Sequence, residues 1–63
     1  MTEYQTLLAI AYLIEKHGAC AAAAAEAMSM QTLLNGDEDQ SRDWAGVAAG
    51  IGRRERAELR FAA

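Results

Sequence analysis

The chain has 63 residues and a mass of 6.8 kDa, enough for one domain over 1–63. Chains near this size bury only about 60% of the surface that their unfolded form exposes, so stability normally needs a staple or a partner. A single cysteine, Cys20, excludes an intramolecular disulfide, and a single histidine, His17, excludes a tetrahedral Cys/His zinc site. Nine acidic groups against six basic ones leave a formal net charge of −3, the wrong sign for a protein whose whole surface binds nucleic acid.

Apolar residues are 52% of the chain, but 15 of them are alanines, so fewer than twenty side chains can fill core volume. Charge is uneven. Asp37, Glu38, Asp39 and Asp43 face only Arg42 in the middle of the chain, whereas Arg53, Arg54, Arg56 and Arg60 outnumber Glu55 and Glu58 near its end. The longest apolar run, Leu7 to Ile14, has eight residues, against the ~20 that a membrane-spanning helix needs. Glu3 also stands where a secretory signal would carry a basic residue. Together with the unpaired cysteine, these features point to cytoplasmic residence and no membrane contact.

The first predicted helix covers residues 3–17. It opens with Thr2-Glu3-Tyr4-Gln5, a capping-box pattern in which the threonine hydroxyl and the Gln5 amide each satisfy a backbone N–H of the first turn. Tyr4, Leu7, Leu8, Ile10, Ala11, Leu13 and Ile14 form an apolar stripe too wide for one neighbouring helix to cover, and such a stripe is expected in the core. His17-Gly18 reads as the helix end, with glycine in a left-handed position and Lys16 and His17 at the negative end of the dipole. The competing reading is one helix through to Leu34, about 50 Å long.

The second predicted helix covers residues 19–34. Alanine has the highest helix propensity, and the run Ala21 to Ala25 offers a smooth surface to which another backbone can come close. Met28, Met30, Leu33 and Leu34 supply bulk at its far end, and the two methionines are expected to fill gaps in the core. Cys20 is expected to be a small buried residue among the alanines.

Asn35-Gly36-Asp37 is the clearest turn signal, with Gly36 ending the second helix and Asp37 or Asp39 capping a third over residues 39–58. Asp37-Glu38-Asp39-Gln40 repeats the capping-box logic and places acidic groups at the positive end of the dipole. Trp44, Val47, Ala48 and Ile51 recur at spacings of three and four, which marks a core face. Gly46 and Gly50 lie four apart on an adjoining face. Each costs about 1 kcal/mol relative to alanine inside a helix, so their retention suggests close helix contact. Gly52 is a point where the regular helix could loosen, leaving Leu59 and Phe61 beyond it, frayed or docked on a partner.

The residues His17-Gly18, Ala21, Gly36-Asp37, Trp44, Val47 and Ile51, at their spacings here, form a pattern that resembles short uncharacterised bacterial helical proteins of the domain-of-unknown-function type. The resemblance spans about positions 13–51. It implies a helical bundle and no known activity. Ala19 and Cys20 depart from the pattern, which usually has an acidic or small polar residue there to cap the second helix; Gly50 and Arg54 also depart. In length and helical content the chain is also similar to plasmid copy-number regulators that dimerise as helical hairpins, an analogy of size alone.

The fold expected is all-α, a small three-helix bundle, with a long helical hairpin that dimerises into a four-helix bundle as the alternative. Catalysis is not expected. His17 and Cys20 could serve as base and nucleophile, or as metal ligands, only if one helix ran through Gly18. The glycines lack the lysine and hydroxyl of a phosphate-binding loop. No cofactor or metal is therefore assigned. The function expected is protein interaction, with a second copy or another protein, through Ala21, Ala25, Gly46 and Gly50 around Trp44. The runner-up is nucleic-acid contact through Arg53, Arg56 and Arg60, which fall on one helical face.

Overall fold

The computed structural model describes residues 1–62, with side chains through Arg60. These residues are helical with no strand. Helix α1 runs over Glu3–His17, a short 3-10 segment over Gly18–Cys20, α2 over Ala21–Leu34 and α3 over Glu38–Ala62.

Each boundary has a local cause. Thr2 caps α1: its Oγ1 accepts from the Gln5 N–H at 3.1 Å, and the Gln5 Oε1 accepts from the Thr2 N–H at 2.9 Å. Gly18 closes α1 with φ 56° while its N–H still donates to the Ile14 carbonyl, a backbone geometry that suits glycine. Helix α2 begins without a side-chain cap at Cys20, as the lack of a polar residue at positions 19 and 20 implies. Ala19 and Cys20 belong to the 3-10 segment, so α2 starts at Ala21 and not at position 19.

At the other end of α2 the Gly36 N–H donates to Leu33 O at 3.0 Å and the Asp37 N–H to Thr32 O at 2.9 Å, with Gly36 at φ 85°. This is a Schellman closure. It explains why only half of the expected second capping box forms. Asp37 Oδ1 accepts from the Gln40 N–H at 3.0 Å, but the Asp37 N–H that Gln40 would have satisfied is already committed to Thr32. Helix α3 starts at Glu38 and continues unbroken through Gly52 to Ala62, beyond the 39–58 expected.

The register of packing follows from a few contacts. Met1 N lies 3.0 Å from Asp43 Oδ2, Gly50 faces Ile10, and Ile14 shares a cleft with Arg54 and Glu58. Helices α1 and α3 therefore run in the same direction. Ser29 of α2 donates to the Ser41 carbonyl at 2.8 Å, while Ala22 shares a groove with Arg53 and Arg56, so α2 runs opposite to both. Principal extents of 42 × 21 × 18 Å fit α3 as the long axis with two shorter helices beside it.

The core is small and made mostly of slender side chains. Ile10, Leu13, Ala21, Ala25, Val47, Ala48 and Ile51 are buried, and Ala9, Ile14, Ala22, Ala24 and Trp44 pack against them. Alanines at the centre let helix axes approach closely, because the side chains at the contact set the interaxial distance.

Candidate interaction surface

On α1 only Ile10 and Leu13 are buried. At 100° per residue, Tyr4, Leu7, Leu8, Ala11 and Tyr12 occupy an arc of about 140° pointing away from them. Tyr4 is 71% exposed, Leu7 56%, Leu8 52% and Tyr12 57%. The wide stripe expected in the core is therefore two faces, one buried and one open. Sequence reasoning missed the second, although the excess width of the stripe was its signal.

Helix α2 repeats the arrangement. Ala21 and Ala25 face inward with no exposure, while Met30 and Leu34, on the opposite side, are 58% and 79% exposed. Met28 and Leu33 are also exposed, so the methionines expected in the core lie outside it.

The residues chosen from sequence as a protein interface are dispersed. Ala21 and Ala25 are spent on the core of the single chain and cannot touch a partner in this fold. Gly50 is covered by Ile10: a Cβ at this position would meet Ile10 Cδ1 at 2.6 Å. Gly46 has open space around it, with nothing within 4 Å of such a Cβ. The two glycines do not act as a pair. Trp44 is half-buried against the core, at the edge of the packed region.

Beside α2, on the flank away from α1, a groove of about 580 Å³ runs between α2 and α3. Its walls include Met30, Leu33, Ala45, Ala49 and Gly52, with Glu26, Arg53 and Arg56 towards one end. Arg53, Arg56 and Arg60 are exposed and fall within about 60° of one another on the side of α3 opposite Val47 and Ile51. Among the described residues the side-chain ion pair is Arg42 with Asp39 at 3.9 Å; none of these three arginines has a carboxylate that close.

Cys20 is exposed, contrary to its expected burial, because the 3-10 segment carries it round the outside of the turn. His17 ends α1 and Cys20 ends the 3-10 segment, so the single helix through Gly18 that a shared face would need is not formed. Among the described residues no three His, Cys, Asp or Glu side chains gather in a metal-binding arrangement.

The stretch Glu3–Leu34 contains an 18-residue window of mean hydropathy 1.3, so composition alone matches a membrane span better than the eight-residue run suggested. The Gly18 turn divides that stretch into helices of 15 and 14 residues, each shorter than the ~20 a spanning helix requires. No family model, curated protein or solved structure matches the chain.

Proposed function

We propose that this chain is a small three-helix bundle that works by binding protein, without catalysis, through apolar faces that its own fold leaves uncovered. The observation that carries this reading is the outward placement of Tyr4, Leu7, Leu8, Tyr12, Met30 and Leu34, each more than half exposed. A helix that is apolar all round belongs in a core or against a partner, and contiguous exposed apolar surface marks interaction sites. The bundle reading is supported by the Gly18 and Gly36 turns and by the alternating helix directions. The unpaired Cys20 supports a reducing, cytoplasmic setting, and no cofactor enters this function.

The test compares the full chain with a Leu8→Glu/Leu34→Glu double variant as bait in cell extract, alongside chemical cross-linking of the pure protein. A species retained by the wild type, whether a second copy or another protein, and lost from an equally helical double variant supports the reading. A wild-type chain that stays monomeric and retains nothing ends it.

A second reading is contact with a nucleic-acid backbone through Arg53, Arg56 and Arg60, supported by their shared outward face and by the lack of a close carboxylate among the described residues. Phosphate contacts from such a face add affinity without sequence selectivity.

A further inference from the structure

Resting on the reading of the chain as a protein-binding module, we propose that the outward face of α1, formed by Tyr4, Leu7, Leu8, Ala11 and Tyr12, seats a second copy of this chain in a two-fold symmetric contact. The first argument is area. The single chain exposes 4708 Å², whereas a compact monomer of this mass exposes about 4,000 Å². The excess of about 700 Å², summed over the whole chain, is of the order of the ~800 Å² that each partner contributes to a standard interface.

The second argument is charge. In an isologous contact every residue meets the patch to which it belongs, so a charged group in the middle would face its own kind. Residues 4–14 contain no charged side chain, and Glu3 and Glu15 bracket the face. At the edge of the face Lys16 Nζ lies 5.5 Å from the Tyr12 ring centroid and donates to its hydroxyl at 3.2 Å, so the middle, Leu7, Leu8 and Ala11, can meet itself without like-charge opposition. Two tyrosines on it supply the large, rigid contact area in which interfaces are enriched.

The same charges argue against lipid as the occupant. Helices that lie on a bilayer carry Lys and Arg along their polar side, whereas α1 carries Glu3 and Glu15 with Lys16 as its one basic group apart from His17.

Sedimentation velocity on the purified full chain, from micromolar to millimolar concentration, tests the proposal. The wild type should form a dimer. Leu8→Glu and Tyr12→Glu should each raise its dissociation constant by about tenfold or more, and Leu34→Glu on α2 should leave it unchanged. Should either α1 variant lose its helicity, the chain carrying Leu8→Cys and Cys20→Ser replaces it: mild oxidation should give a helical covalent dimer, while Ala57→Cys in the same background should not.

A monomer at every concentration overturns the proposal, as does equal cross-linking at positions 8 and 57. A dimer broken by Leu34→Glu and not by Leu8→Glu moves the contact to α2 and leaves the module reading standing. A monomer that floats with vesicles of phosphatidylcholine and phosphatidylglycerol makes lipid the occupant instead. A monomer that also retains no other protein from extract removes both this contact and the module reading.

Discussion

Gly50 and Ile10 interlock: a Cβ on Gly50 would stand 2.6 Å from Ile10 Cδ1 and 3.6 Å from Cγ1, so the absent side chain is the space that the isoleucine fills. Ile10 is only 7% exposed and is one of the two buried side chains of α1. The contact therefore fixes how α1 seats on α3. Four residues earlier, Gly46 makes no comparable contact.

This contrast predicts opposite outcomes for two glycine substitutions. Gly50→Leu should destabilise the fold by about 1–3 kcal/mol through overpacking against Ile10. Gly46→Ala should stabilise it by up to about 1 kcal/mol, since alanine gains helix propensity and meets open space. In thermal unfolding at one fixed protein concentration, each kcal/mol should appear as a shift of about 4–8 °C. Matching shifts at the two positions would mean that the Ile10 contact is not formed.

The inward alanines should behave as core residues and not as interface residues. Ala25 has no exposure, so Ala25→Leu forces a larger side chain into closed space and should cost about 1–3 kcal/mol. Ile51→Ala removes one of the two largest fully buried side chains and should cost about 2–5 kcal/mol. Circular dichroism should show lost or weakened cooperative unfolding in both. A fully folded Ala25→Leu chain with altered assembly alone would return Ala25 to the interface.

Asp37 joins the Schellman closure of α2 to the first turn of α3, through its N–H and its carboxylate. Asp37→Ala keeps the backbone bond and loses the cap, at a cost of about 1 kcal/mol. Asp37→Asn should recover most of that, because an amide oxygen can still accept from Gln40. Urea unfolding of the three chains measures both differences, and equal midpoints would show that the cap contributes nothing.

Cys20 should be alkylated by iodoacetamide in the native chain at about the rate it shows in the unfolded chain, since the turn leaves it exposed. Mass spectrometry of a native time course reads this directly. Strong protection would place the thiol back among the alanines.

Replacing Arg53, Arg56 and Arg60 together with glutamine should leave helicity and self-association unchanged, because all three point to solvent. If the wild type is retained on DNA or RNA at low salt, the triple variant should lose that retention, and the salt dependence should become shallower. Wild-type protein that is not retained at low salt removes the nucleic-acid reading.

Sequence alone determined the helical class, the cap at Thr2 and the turn at Gly36, because each rests on local chemistry: propensity, one or two backbone hydrogen bonds, or a positive φ. It left open whether Asp37 or Asp39 caps α3 and whether Gly18 ends α1, which the structure decides for Asp37 and for a turn at Gly18. The core face of α3 was also legible, since Trp44, Val47 and Ile51 are the large apolar residues between Asp43 and Arg53 and recur on one side of the helix. Tertiary structure decided which sides of α1 and α2 are inside. Both helices are apolar on two faces, so no period distinguishes Ile10 and Leu13 from Leu7 and Leu8, or Ala21 and Ala25 from Met30 and Leu34. Close approach of helix axes settles the choice by placing alanine and glycine at the contacts, and the bulkier side chains that this leaves outside create the surface on which a partner can dock.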